Sequence, residues 1–110
     1  MIDRIMDPTG IPYANTQFAR APAGNYAVWM DDIEADGPDG INRIFRHNIS
    51  LELYTPKAAP EAEEAIETQL NALGLRWIKQ ARYWLPSVTR YQTVYEFTYI
   101  EKGDNHGKKR

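Results

Sequence analysis

The chain has 110 residues, a length typical of one compact domain. Its 43% hydrophobic and 25% charged residues exclude a disordered chain, and its net charge of −2 provides no basic field for nucleic acid or anionic lipid. The absence of cysteine excludes disulfides, zinc–thiolate sites and a thiol nucleophile. Because the first residues lack an apolar signal core and no run is long enough to span a bilayer, we expect a cytoplasmic site of synthesis.

The first half of the chain carries helix, turn and strand signals in succession. Apolar residues at positions 2, 5 and 6 have helical spacing and predict a short N-terminal helix that ends before Pro8. Residues 11–24 are mostly small and polar and predict an irregular connection. Residues 26–33, YAVWMDDI, predict a strand because they are rich in aromatic and β-branched side chains. The following EADGPDG has typical turn chemistry.

A second strand is predicted over residues 41–55. Ile49, Leu51 and Leu53 alternate with polar residues and fall on one face of this strand. The upstream apolar residues at positions 41, 44 and 45 do not all keep that phase, so we expect a β-bulge near residues 46–48. The two strands together predict a long hairpin.

A helix is predicted to begin at Pro60 and to end before Gly74. Proline suits the first helical turn, and glycine allows the left-handed conformation that ends a helix. Acidic residues in the first turn complement the helix dipole. The pattern predicts an apolar stripe and a water-facing side. The stripe contains Ala62, Ile66, Leu70 and Leu73, and the water-facing side contains Glu63, Glu67 and Asn71.

The last part of the chain predicts two further strands. LRWIKQARYWL, residues 75–85, fits the periodicity of a helix as well as that of a strand. Its aromatic residues and its position directly after a helix stop favour a single strand. RYQTVYEFTYIE, residues 90–101, alternates clearly. Residues 102–110 predict a flexible polar tail. We therefore predict one α+β domain over residues 1–101: a four-stranded, mainly antiparallel sheet of two hairpins, with one main helix across a face and a short N-terminal helix.

Candidate chemistry is sparse. The acidic DIEADG resembles the start of a calcium loop, but the twelfth position, which must supply a bidentate glutamate, is Arg43. A solvated acidic turn is therefore the favoured interpretation. His47 has no second histidine or nucleophile at a useful spacing, which favours a partly buried strand histidine over a catalytic one. We predict no catalytic, metal or cofactor site and expect that the protein is not an enzyme.

Interface candidates are easier to find. The chain has more large aromatic rings than a small core needs, and such rings concentrate at protein–protein surfaces. The rings that stand out are Trp29, Trp77, Tyr83 and Trp84, and of these Trp29 and Trp84 are the interface candidates. The predicted turn supplies five further interface candidates, which are Asp36, Gly37, Pro38, Asp39 and Gly40.

Several segments, taken together, resemble one protein family. TGIPYANTQF, NISLELYTPKAAPEAEEAIETQLNALGLRW and RYQTVYEFTYIE are similar to the tail-completion or tail-terminator proteins of long-tailed, siphovirus-type bacteriophages and prophages. The matching features are the turn at residues 10–12, ADG at residues 35–37, the LELYT strand with its following acidic helix, and the tyrosine-rich last strand. The resemblance extends from about residue 9 to residue 101, and its motifs are structural rather than catalytic.

The resemblance implies a structural virion protein that is assembled in the host bacterial cytoplasm. Such proteins form a homo-oligomeric ring, usually a hexamer, on the last ring of tail-tube subunits. They end tail polymerisation and join the tail to the head connector or stopper protein. No nucleic-acid specificity and no membrane partner are implied. Two alternatives remain open: another head–tail joining or connector protein, and a small non-catalytic α+β binding module.

Overall fold

The computed structural model describes residues 1–36 and 43–103. Two short helices and six strands make up this part of the chain. In chain order the elements are helix α1 (Ile2–Met6), a 3₁₀ turn (Asp7–Thr9), strands β1 (Tyr13–Asn15), β2 (Tyr26–Asp36) and β3 (Arg43–Thr55), helix α2 (Pro60–Ala72), and strands β4 (Trp77–Lys79), β5 (Tyr83–Leu85) and β6 (Arg90–Gly103).

One mixed sheet contains all six of these strands. Their order is β1-β2-β3-β6-β4, and β5 pairs with β6 beside β4. β1 runs parallel to β2, and every other pairing is antiparallel. The predicted α+β class is correct, but the predicted four-stranded antiparallel sheet is wrong.

Short strands account for the difference. β1 has only three residues and pairs with residues 27–29 of β2, so it is too short to show an alternating pattern. The segment predicted as one strand is two strands, β4 and β5. Trp77 lies opposite Phe97 and Lys79 opposite Tyr95, whereas Tyr83 lies opposite Gln92. Three residues, 80–82, therefore lie opposite only two residues of β6, 93 and 94. The one extra residue interrupts the strand as a β-bulge does.

The central strand is regular. β3 pairs residue by residue with β2 on one side and with β6 on the other, without a shift in register. The bulge predicted near residues 46–48 is therefore wrong. Phe45 and His47 share the face of Ile49, Leu51 and Leu53. Both helices pack on part of this face, against Ile49, Leu51 and Leu53, and we call it the helix face. Ile44 points to the second face, where it is 39% exposed.

The core lies between the helix face and the two helices. Its fully buried large side chains come from α1, β3, α2 and β6, and each contributes roughly 1.5–3 kcal/mol on burial. They are Ile5, Met6, Leu51, Leu53, Ile66, Leu70 and Tyr95. α2 begins at Pro60, and Gly74 follows it at φ +71°, a left-handed conformation that ends the helix.

The sheet extends beyond its helical cover. The described part of the molecule measures 48 × 29 × 23 Å. β1 pairs only with residues 27–29 of β2, and β4 only with residues 95–97 of β6. We call the three-stranded continuation the arm: residues 30–36 of β2, 43–48 of β3 and 98–103 of β6. β6 continues to Gly103, two residues past the domain boundary predicted at residue 101.

Candidate assembly surface

The arm has two open edges. Thr16 N–H donates to the carbonyl oxygen of Trp29 at 2.8 Å, and beyond this point no described strand pairs with the outer side of β2. Likewise, Gln80 N–H donates to the carbonyl oxygen of Val94 at 2.9 Å, and no strand among residues 1–36 and 43–103 covers the outer side of β6 after residue 97. Open edges present backbone groups that can pair with another chain.

Apolar side chains are exposed along the arm. Ile33 is 54% exposed on the helix face, because α1 and α2 do not reach it, and Ile100 is 51% exposed on the second face. Charged side chains alternate with them. Arg46 lies 3.6 Å from Glu34 across β2 and β3, and both side chains are more than half exposed, so this ion pair contributes little to stability.

His47 joins the three strands of the arm. Its Nδ1 lies 2.6 Å from Asp31 Oδ2 on β2, and its Nε2 lies 2.8 Å from Glu101 Oε1 on β6. The ring stacks on Tyr99 with 4.4 Å between centroids and 3° between planes. Ionised carboxylates only accept hydrogen bonds, so both contacts are hydrogen bonds when the ring is an imidazolium and both of its nitrogens donate.

The electrostatics of His47 agree with this geometry. Burial of the ring acts to lower the pKa of His47, but the hydrogen bonds to Asp31 and Glu101 outweigh it and raise that pKa above its ordinary value. Both nitrogens are engaged, so neither is available to accept a substrate proton or bind a metal ion. The arrangement is a clamp across three strands, not a catalytic base.

A second polar cluster fixes α2 to the β4–β5 side of the sheet. Glu63 is only 5% exposed. Its carboxylate accepts hydrogen bonds from Lys79 Nζ at 2.9 Å, Arg82 Nε at 2.8 Å and Thr93 Oγ1 at 3.2 Å. Burial acts to raise the pKa of Glu63, but Arg82 and Lys79 outweigh it and lower that pKa. The prediction that Glu63 faces water is therefore wrong.

Glu67 belongs to the same cluster. It accepts hydrogen bonds from Lys79 Nζ and from the hydroxyl of Tyr95, both at 2.7 Å, and is half-buried. Lys79 is the last residue of β4 and Arg82 is the last residue before β5, so both ends of the interruption direct a cation toward α2. Helical periodicity could not reveal these partners, because they lie in another part of the chain.

The predicted interface residues occupy different positions. Trp29 is half-buried on the helix face and packs against the core. Trp84 is 41% exposed on β5, with its ring edge-on to Tyr91 at 4.9 Å. Asp36 is the last residue of β2. Gly37, Pro38, Asp39 and Gly40 lie outside the described residues.

Sequence reasoning missed Ile78, the most exposed large apolar residue of the described part, whereas Tyr83 was among the rings singled out for a protein–protein surface. Ile78 and Tyr83, on β4 and β5, are 66% and 62% exposed and lie on the second face, as Ile100 does. The sequence signal that could have found Ile78 is its position between Trp77 and Lys79, where alternation predicts a side chain on the solvent-facing side of the strand. Within the described ranges, no group of histidine and acidic side chains could hold a metal ion, and no helix is long and apolar enough to cross a membrane.

Comparison with known proteins places this fold. No protein-family model and no curated protein matches the chain. Among solved structures, it is similar to a chain of the virion of a native gene transfer agent (GTA) particle, with a TM-score of 0.61 and 12% sequence identity. The similarity covers 90% of this chain and 84% of that chain. At this level of identity the similarity shows a common fold.

Proposed function

We propose that the protein is a structural component of a virion, and that it acts as a tail terminator. It forms a ring on the end of the tail tube, ends tube polymerisation and joins the tail to the head connector. It acts through its surfaces and not by catalysis. The observation that carries the proposal is the fold shared with a virion chain over 90% of the protein.

The described surfaces support a role in assembly. The arm presents two open edges, with Ile33 and Ile100 exposed beside them. Closed rings need two different patches on each subunit, one of which meets the other on the neighbouring copy. One rigid sheet that carries two uncovered edges supplies such a pair of patches. The Glu63 and His47 clusters hold this sheet to α2 and hold its three strands together.

Deletion of the gene from the phage or prophage that encodes it tests the proposal. Electron microscopy of the resulting particles measures tail length and head attachment, with the wild-type gene supplied in trans as the control. Tails of irregular, excessive length without heads are expected of a missing terminator. Tails of normal length that lack heads would instead support another head–tail joining role. Normal particles would exclude both roles.

A further inference from the structure

The backbone of the arm shows which groups are free to bond outward. In a strand, the N–H and C=O of one residue point to the same side, and the side alternates along the chain. The carbonyl of Trp29 and the N–H of Ala27 both bond toward β1, so the odd residues of β2 point outward. The carbonyl of Val94 bonds toward β4, so the even residues of β6 point outward. The unbroken register of β3 with both neighbours agrees with this alternation.

The two open edges match in length and direction. Past the last pairing with β1 and β4, the outward positions are 31, 33 and 35 on β2 and 98, 100 and 102 on β6. β2 and β6 are both antiparallel to β3, so they run in the same direction. A rotation about an axis along the strands therefore brings the β6 edge of one copy beside the β2 edge of the next, as a parallel pair.

We propose that the β6 edge of the arm, residues 98–103, pairs with the β2 edge of a second copy of this chain, residues 30–36. The arms then form one continuous sheet, to which each copy adds three strands. The pairing is heterologous, so repetition generates a ring when the rotation closes. This proposal rests on the ring assembly proposed above and identifies the surface that forms it.

Charge favours this pairing over the pairing of two β2 edges. On the second face, the β2 edge carries Asp32 and Glu34, and the β6 edge carries Lys102, all of them exposed. Pairing of two β2 edges would place acidic side chains against each other, which is unfavourable. Pairing of β2 with β6 can place Lys102 opposite Glu34. This register also places Ile33 opposite Glu101 and Ile100 opposite Asp32.

Cysteine cross-linking tests the pairing, because the chain has no native cysteine. Neighbouring strands bring opposite residues within the Cα separation that a disulfide requires, about 4.4–6.8 Å. The variant Asp32→Cys/Ile100→Cys is expected to form a ladder of covalent multimers under oxidation. Each single variant alone stays monomeric, and an equal mixture of the two single variants gives dimers. Glu34→Cys/Ile100→Cys tests the register that is shifted by two residues.

The control variant is Glu64→Cys/Ile100→Cys, which moves one thiol to an exposed position on α2 and should give no ladder. Oxidation is carried out on the concentrated pure protein and on assembled particles. The proposal is overturned if neither arm pair cross-links in either sample, or if a single variant cross-links efficiently with itself. Such a failure is distinct from failure of the proposed function, because gene deletion measures tail length without reference to the arm.

A backbone variant tests the hydrogen bonds directly. The N–H of residue 33 points away from β3, so Ile33→Pro removes an outward donor without removing a bond of the existing sheet. Ile33→Ala is the matched control, which loses the side chain and keeps the donor. Self-association, measured by sedimentation or as ring occupancy on tails, should be about ten-fold weaker for the proline variant than for the alanine variant. Equal association of the two variants would overturn edge pairing.

Discussion

Replacement of Glu63 by alanine measures how strongly the buried polar cluster holds α2 to the sheet. Glu63 is 5% exposed and accepts hydrogen bonds from Lys79, Arg82 and Thr93. Its neighbour Glu64 is exposed on the same turn of the helix and serves as the control. Both substitutions change one glutamate to alanine, so they alter helix propensity equally and differ in the contacts that they remove.

The expected loss can be worked out contact by contact. A hydrogen bond to a charged group contributes about 1.5–3 kcal/mol when it is shielded from water. The side chains of Lys79 and Arg82 are 34% and 33% exposed, so water solvates them again after the change. Screening therefore lowers these two contributions to about 1 kcal/mol taken together. The buried Thr93 hydroxyl loses its acceptor, which costs about 1 kcal/mol more.

Alanine recovers a few tenths of a kcal/mol in helix propensity, about the same for both variants. We therefore expect Glu63→Ala to lower the free energy of unfolding by about 2 kcal/mol, or the Tm by roughly 10 °C. Glu64→Ala should change that free energy by less than about 0.5 kcal/mol. Urea unfolding followed by tryptophan fluorescence measures both. Equal losses for the two variants would refute the argument.

The loss should also depend on pH. Because the folded-state pKa of Glu63 is lowered, its contribution is present above the unfolded pKa and disappears as the pH falls through the folded value. The difference between wild type and Glu63→Ala should therefore be full at neutral pH and shrink as the pH falls below about 4.5.

Two further substitutions test the core and the arm. Leu70→Ala removes a fully buried side chain from α2 and should cost about 2–5 kcal/mol in urea unfolding; a loss as small as that of Glu64→Ala would mean that α2 packs in another phase. His47→Gln removes the charged ring between Asp31 and Glu101 and should cost about 1–2 kcal/mol near pH 6. The folded-state pKa of His47 is raised, so this contribution is full below the unfolded pKa and is lost as the pH rises through the folded pKa. Equal losses of stability near pH 6 and near pH 9 would therefore contradict the clamp.

Elements with a strong local pattern could be predicted from the sequence. β3 alternates apolar and polar residues over residues 49–53, and β6 has aromatic or β-branched residues at every second position over residues 91–99. Both strands were predicted within two residues of their observed bounds. α2 carries its own start signal in Pro60 and its own stop signal in Gly74, so its ends needed no tertiary information. β1, β4 and β5 have three residues each, and three residues carry no period.

The candidate surface was predicted less well. Asp36 is the last residue of β2 and Trp84 is exposed on β5, whereas Trp29 is half-buried against the core. The sequence did not predict where the open edges of the arm lie. An edge exists only because no neighbouring strand covers it, and that depends on where β1 and β4 end in the sheet.

The sequence by itself determined the α+β class, the long strands, the limits of α2 and the absence of cysteine chemistry. These properties follow from periodicity, capping residues and composition, each of which acts within a few residues along the chain. The tertiary structure alone decided the mixed six-stranded sheet, the burial of Glu63 and the clamp at His47. The physical reason is common to all three, because the partners are far apart along the chain. Arg82 lies 19 residues from Glu63, and Glu101 lies 54 residues from His47, so no local sequence pattern predicts these contacts.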